Sequence, residues 1–149
     1  MENSIKSAQL EVNQFGEKKE SIAYTPRPGV YAICTNDKNQ LAVVEYKGKL
    51  YLLGGGLNES ETEEAGLRRE IEEEVGMKMA SSVFVGKANQ YVEASDGNFN
   101  KEGVFYKIEL DSTVSVSGEA DHKFIWVDKE EFKAKAGQEF QVFAVENFV

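Results

Sequence analysis

Residues 54–77 place a glycine triplet directly before a segment rich in carboxylates, and this stretch constrains the fold more than any other. It reads GGGLNESETEEAGLRREIEEEVGM. Glu70, Glu73 and Glu74 stand at i, i+3 and i+4, which places three carboxylates on one face of a helix. Like charges at this spacing repel one another, by roughly a few tenths of a kcal/mol per pair. A bound divalent cation would offset that repulsion, and Mg²⁺ and Mn²⁺ prefer oxygen ligands.

The local patterns predict strands before this stretch and a mixture of strands and helices after it. The predicted strands cover residues 30–35, 41–46, 50–53, 82–86, 89–94, 104–110 and 124–127, with a weak edge strand near 10–15. The predicted helices cover residues 62–75, 128–135 and 138–148. Gly76 is expected to end the first helix and Asp128 to cap the second. Residues 26–29 and 95–103 read as turns or polar loops.

The first predicted helix has an apolar edge next to its carboxylate face. Leu67, Ile71 and Val75 form a narrow apolar stripe at helical spacing. Gly66 lies on the carboxylate side, where the missing Cβ would let the preceding loop or a ligand approach closely. We therefore expect one edge to pack on the sheet while the neighbouring edge carries the carboxylates.

Length and composition favour a single soluble domain over residues 1–149. The net charge of −9 argues against a sequence-independent grip on duplex nucleic acid, which needs a basic face. Cys34 is the only cysteine, so no intramolecular disulfide forms and the reducing cytoplasm is the expected location. We find no signal-peptide core and no apolar run long enough to cross a membrane.

The central stretch resembles the Nudix box, G-x5-E-x7-R-E-U-x-E-E-x-G-U, where U is a bulky aliphatic residue. Gly55 and Glu61 match its first two positions, and residues 69–77 match all the others. The resemblance implies an α+β fold, the Nudix-type α/β/α sandwich with a mixed β-sheet between helices. It also implies a hydrolase acting on a nucleoside diphosphate linked to another moiety X (NDP-X), with Mg²⁺ or Mn²⁺ as cofactor.

The resemblance also implies roles for individual residues. The implied metal ligands are Glu70, Glu73, Glu74 and Gly55, the last through its backbone. Arg69 would pair with Glu73 and hold it in one rotamer, and Glu61 would act from an outer position. The general base is either Glu73 or Glu119, which lies in the polar connection before the predicted strand at 124–127.

Three residues around the box depart from the commonest family sequence. Leu53, Asn58 and Ser60 stand where a proline, an acidic residue and a glycine are frequent. None of them is a specified position of the motif. The departures bear on the geometry of the loop and on its phosphate contacts, and they leave the implied metal ligands unchanged.

The substrate is encoded mostly outside the box. Val92 stands where the ADP-ribose branch of the family has a proline, which disfavours that branch. Tyr91 lies close to a tyrosine position of the dinucleoside-polyphosphate branch. We predict that Tyr91, Phe99 and Trp126 bind substrate by stacking on a base; the alternative is that these aromatic rings pack in the core.

The leading hypothesis is thus a metal-dependent pyrophosphohydrolase with a small-molecule nucleotide as its partner. One alternative is a Nudix-like sensor module that binds a nucleotide without cleaving it. A second alternative is that the glutamates form only a solvated helix face. Either a monomer or a homodimer agrees with the sequence.

Overall fold

A computed structural model describes residues 12–115 and 123–149 of the chain. The strands are β1 (Asn13–Phe15), β2 (Thr25–Ile33), β3 (Leu41–Tyr46), β4 (Lys49–Gly56), β5 (Met77–Ala94), β6 (Gly97–Ser115) and β7 (Lys123–Val127). The helices are α1 (Glu63–Val75), α2 (Lys129–Lys135) and α3 (Glu139–Phe148). No helix in these described ranges is long and apolar enough to cross a membrane.

The strands of the described chain form one mixed sheet in the order β1-β5-β6-β2-β4-β3-β7. The β1–β5 and β6–β2 pairs are parallel, and the other neighbouring pairs are antiparallel. Helices cover both faces of this sheet. Leu67 and Ile71 of α1 pack with Val30 and Leu53 on one face, and Phe132 of α2 and Phe140 of α3 pack on the other. The predicted α/β/α sandwich is therefore confirmed.

Helix α1 begins and ends where the sequence predicts. The Thr62 side chain accepts a hydrogen bond from the backbone N–H of Ala65, and Glu63 and Glu64 lie at the positive end of the helix dipole. Gly76 ends the helix with φ 76°, a left-handed conformation that suits glycine. Both ends of the helix are thus set by local sequence.

The predicted turn is present at residues 95–96, but the polar loop predicted from there to Gly103 is wrong, and so is the predicted break between two strands near residue 87. Met77–Ala94 and Gly97–Ser115 instead form one long antiparallel hairpin, with a register shift between Phe84 and Gly86. Polar residues such as Asn98 and Lys101 lie in this hairpin because continuous pairing with β5 satisfies their backbone groups. The register shift accommodates the residues near position 87, where the strand pattern in the sequence is interrupted.

Strand β2 begins five residues earlier than predicted, because Thr25–Pro28 pairs with β6 instead of forming a turn. Pro28 accepts a hydrogen bond from the N–H of Leu57 at 3.0 Å. Pro28 has no N–H, and its nitrogen faces the same side of β2 as its carbonyl. Pairing with β4 on that side begins only at Gly29. Prolines are tolerated at such a position, since no ladder bond is lost.

Strand β4 changes partners halfway along its length. Its first half pairs with β3 up to Leu52, and its second half pairs with β2 from Leu53 to Gly56. The sheet therefore opens beside the glycine triplet, on the side of β4 that faces away from β2. Glu74 of α1 reaches the triplet here, since its carboxylate accepts a hydrogen bond from the Gly54 N–H.

Two residues named in the sequence analysis, Cys34 and Asp128, have clear positions in the structure. Cys34 is buried, and burial raises the pKa of its thiol to about 11, as expected for a small core residue. The predicted cap at Asp128 is wrong in one respect: Asp128 precedes α2, but its side chain makes no capping hydrogen bond.

Candidate active site

The glycine triplet lets the backbone turn tightly beside α1. Gly54 has φ 128°, and a Cβ at this position would lie 2.1 Å from the carbonyl oxygen of Val30. Only glycine fits there without moving the neighbouring strand. The Gly54 N–H donates to Oε1 of Glu74 at 2.8 Å. Glu74 is thereby fixed between the helix and the sheet edge, and it is 9% exposed.

Gly55 brings the carboxylate of Glu70 against the backbone of the loop. A Cβ at Gly55 would lie 2.9 Å from the Oε1 atom of Glu70. A side chain at position 55 would therefore displace this carboxylate. Two of the predicted metal ligands, Glu70 and the Gly55 backbone, lie next to each other.

Arg69 holds the loop and the carboxylates together. Its Nε and Nη2 atoms donate to the two carboxylate oxygens of Glu61 at 2.7 and 2.9 Å, a bidentate pair. Nη2 also donates to the Gly56 carbonyl at 3.1 Å, and Nη1 donates to Oε1 of Glu70 at 2.9 Å. The predicted pairing with Glu73 is the longest of these contacts, 3.5 Å from Nη1 to Oε2. The main partner of Arg69 is Glu61.

Glu61 is the anchor of the loop that precedes α1. Hydrogen bonds from Arg69, and then from the N–H of Asn58, lower the pKa of the Glu61 carboxyl to about 2. The contact from Asn58 comes from the backbone, so it needs no acidic side chain at that position. Ser60 has φ 69°, a left-handed conformation that glycine adopts more readily than serine.

Gly66 completes the close contact between the loop and α1. A Cβ at Gly66 would lie 2.3 Å from Cδ2 of Leu57 and 3.1 Å from Oε1 of Glu61. The absence of a side chain is therefore what allows the loop to lie on the helix, as the sequence predicts.

The carboxylates of α1 supply hard oxygen donors that suit Mg²⁺ or Mn²⁺. Glu74 and Glu70 lie at the glycine loop, and the side chain of Glu73 is 41% exposed. Within residues 12–115 and 123–149, no three acidic, histidine or cysteine side chains are gathered closely enough to hold a metal. Arg69 contacts both Glu70 and Glu73, so it orients two of these donors, and their chemistry fits a divalent cation.

A cavity of about 350 Å³ lies beside the glycine triplet. Its lining includes the triplet, Glu74 and a set of tyrosine, glutamine and basic side chains: Tyr31, Tyr46, Tyr51, Gln138, Gln141, Arg27 and Lys101. Burial, followed by the charges of Glu70 and Glu74, raises the pKa of Tyr31, so its hydroxyl stays protonated. Gln141 is fixed in place, because its Oε1 accepts from the N–H of Leu52 at 2.7 Å.

The three predicted stacking residues are not among the side chains that line this cavity. Tyr91 packs edge-on against Tyr24, with ring centroids 4.9 Å apart. The Phe99 ring lies under the guanidinium of Arg27, and Trp126 packs on Phe124 beside a different cavity. The predicted general base Glu119 lies outside the described residues.

The sequence patterns do not predict the basic and tyrosine side chains that line the cavity. Tyr31 and Tyr51 lie in apolar strand runs and read as core residues, and Arg27 lies in a segment that reads as a turn. The spacing of residues along β2 does indicate one feature of this lining. Arg27 and Tyr31 differ by an even number of positions and so share a face of the strand.

Comparison with known proteins identifies the family of the chain. Residues 25–146 match the NUDIX domain family. Comparison with curated proteins finds no match.

Solved structures share the fold at low sequence identity. A NUDIX hydrolase from Nitrosomonas europaea has a TM-score of 0.68 at 18% identity, covering 83% of this chain and 88% of that one. A MutT protein from Methanosarcina mazei Go1 has a TM-score of 0.68 at 22% identity, covering 85% and 95%. A MutT NUDIX hydrolase from Burkholderia pseudomallei has a TM-score of 0.66 at 21% identity, covering 84% and 99%. With the family match over residues 25–146, the chain belongs to the NUDIX family.

Proposed function

We propose that the chain is a divalent-metal-dependent pyrophosphohydrolase that cleaves a nucleoside diphosphate linked to another moiety, NDP-X. Membership of the NUDIX family supports a hydrolase acting on pyrophosphate bonds. The observation that carries the proposal is that Glu74 and the triplet Gly54–Gly56 line the same 350 Å³ cavity. A ligand in that cavity would therefore lie against the carboxylate face of α1.

The residues that would hold the cation are Glu70, Glu73 and Glu74, with the backbone carbonyl of Gly55. When bound, Mg²⁺ or Mn²⁺ would screen the diphosphate charge and make the attacking water more acidic. Arg69 neutralises part of the acidic cluster through Glu61 and Glu70, and it keeps the loop in place through the Gly56 carbonyl. The site is thus held together by groups that need no cation.

Proton transfer falls to Glu73 in this proposal. Its side chain is more exposed than those of Glu61 and Glu70, 41% against 14% and 15%, so water can reach it. A carboxylate within hydrogen-bond reach of the attacking water can accept its proton. Glu119 is the alternative base.

A panel of NDP-X compounds tests the function directly. We expect at least one member to be cleaved with release of a nucleoside monophosphate, or of phosphate products, in the presence of Mg²⁺ or Mn²⁺. We expect the chelator EDTA to abolish turnover, because hydroxide is otherwise repelled by the diphosphate oxygens. Product formation is followed by chromatography. Folded protein that turns over no member with either metal would contradict the proposal.

A nucleotide-binding module without catalysis is the second candidate. The observation in its favour is that the acidic side chains of the described residues are not gathered into a metal site. Tight nucleotide binding in the presence of metal, with no product after long incubation, would support this candidate over the enzyme.

Metal binding itself has a separate expected result. A hundredfold excess of Mn²⁺ over its Kd should raise the melting temperature by roughly 5–10 °C, since such an excess adds about 2.7 kcal/mol. The Glu73→Gln variant should show a smaller rise, and Glu72→Gln should match the wild type. An equal rise in all three proteins would indicate a solvated helix face that attracts cations without a site.

We further propose a cytoplasmic location and a small-molecule nucleotide as the partner. The single, buried Cys34 supports a reducing compartment. The net charge of −9 supports a small nucleotide over duplex nucleic acid. Light scattering of the purified protein distinguishes a monomer from a homodimer.

A further inference from the structure

Two cations lie side by side on one wall of the cavity. Arg27 of β2 and Lys101 of β6 are direct partners in the parallel register of the two strands, and both line the cavity that includes Glu74. Like charges on adjacent strands destabilise a sheet. The chain has 17 lysine and arginine residues and 26 aspartate and glutamate residues. Carboxylates that could neutralise such a pair are therefore abundant in the sequence.

No carboxylate in the described part of the chain forms a salt bridge with either cation. Arg27 is instead supported by an aromatic ring: its guanidinium carbon lies 3.7 Å from the centroid of Phe99. A ring in this position orients the planar guanidinium and leaves its N–H donors available. Burial, and then the charge of Arg27, lower the pKa of Lys101. Lys101 is thus half-buried beside the exposed Arg27, and the two cations repel each other.

The pair lies at a fixed separation from the carboxylate end of the cavity. Gly55 is opposite Val30 on β2, three residues along the strand from Arg27. Three residues of a strand span roughly 10 Å. A ligand that contacts both Gly55 and the cation pair is therefore longer than a single phosphate group.

We propose that Arg27 and Lys101 form a subsite for a second anionic group of the substrate, so that the enzyme prefers NDP-X compounds in which X is itself a phosphate. The inference deepens the proposed function and rests on it. A phosphate between the two side chains would remove their repulsion and accept charge-assisted hydrogen bonds from both. A neutral sugar as X would leave the repulsion uncompensated. Phe99 acts here as a positioning residue for Arg27 and does not touch the substrate.

Matched substrates that differ only in X test the subsite. UTP and UDP-glucose share the base and the diphosphate, and they differ in whether X is charged. The corresponding triphosphates and sugar nucleotides of adenine and guanine form two further pairs. We expect the wild type to have the higher kcat/KM for the triphosphate. Arg27→Gln and Lys101→Gln should each raise KM for the triphosphate by about 10- to 100-fold, with KM for the sugar nucleotide changed less than about twofold.

Two further variants separate charge from structure. Arg27→Lys keeps the charge and should recover part of the loss. Lys107→Gln removes a cation from the same strand, at a position that lines a different cavity, and should leave both KM values unchanged. Equal effects of Arg27→Gln on the two substrates, or no effect on either, would overturn the subsite.

A binding measurement keeps the subsite test independent of turnover. Inorganic triphosphate is titrated calorimetrically into wild type, Arg27→Gln and Lys107→Gln without metal. Binding about 10- to 100-fold weaker in Arg27→Gln alone supports the subsite even if no substrate is hydrolysed, in which case only the proposed function fails. Equal binding by the three proteins overturns the subsite even if the enzyme is active.

Discussion

Glu74→Gln is expected to lower kcat by at least about 100-fold while leaving the melting temperature nearly unchanged. The Gly54 N–H donates to the Glu74 carboxylate at 2.8 Å, and a glutamine carbonyl at the same place can accept that hydrogen bond. The substitution therefore keeps the link between α1 and the glycine triplet and removes only the negative charge. Steady-state kinetics with saturating Mg²⁺ and a thermal melt by circular dichroism measure the two effects.

Glu72 offers a matched control on the same helix. Its carboxylate lies 3.4 Å from Nζ of Lys78 on the solvent side of α1, away from the glycine triplet. Glu72→Gln removes the same charge from the same helix and should keep kcat within about twofold of wild type. If Glu72→Gln and Glu74→Gln lose activity equally, the effect is general electrostatics and the assignment of Glu74 to the site is wrong.

The parts of the site that follow from local sequence could be predicted, and the parts that depend on strand pairing could not. Helix α1 is set by Thr62, Gly76 and an apolar stripe, all within one short segment. The close contacts at Gly55 and Gly66 also come from residues near to each other in the sequence.

The cavity wall is different because it is assembled by pairing between distant strands. Arg27 meets Lys101 only because β2 pairs with β6 in one register, and neither strand contains a signal for that register. The same pairing places the Phe99 ring against the guanidinium of Arg27, a contact that the sequence does not predict. Cross-strand pairing is also the reason that the polar residues 97–103, which resemble a loop in the sequence, form the first part of β6.

Arg69→Lys is expected to lower kcat/KM by about 10- to 100-fold, since the loss of an outer partner of metal ligands has an effect of this size. A lysine keeps the charge but cannot reproduce the fork that contacts both oxygens of Glu61 while also reaching Glu70 and the Gly56 carbonyl. The loop should then lose its fixed position on α1, so the melting temperature should fall as well. Kinetics with the best substrate of the panel, together with thermal melts, check both results.

Arg68→Lys is the matched control, because Arg68 is the adjacent residue and its one salt bridge within the described residues is an exposed 3.9 Å contact with Glu64.

A pH series adds a second readout through Arg69→Gln. The pKa of Glu61 is held at about 2, below the ordinary 4.5, mainly by Arg69. A depressed pKa stabilises the fold fully above about pH 4.5, and this stabilisation disappears as the pH falls toward 2. The difference in melting temperature between wild type and Arg69→Gln should therefore be largest near neutral pH and shrink below pH 4.5. A difference that stays constant down to pH 2 would show that Arg69 stabilises the loop without its ion pair to Glu61.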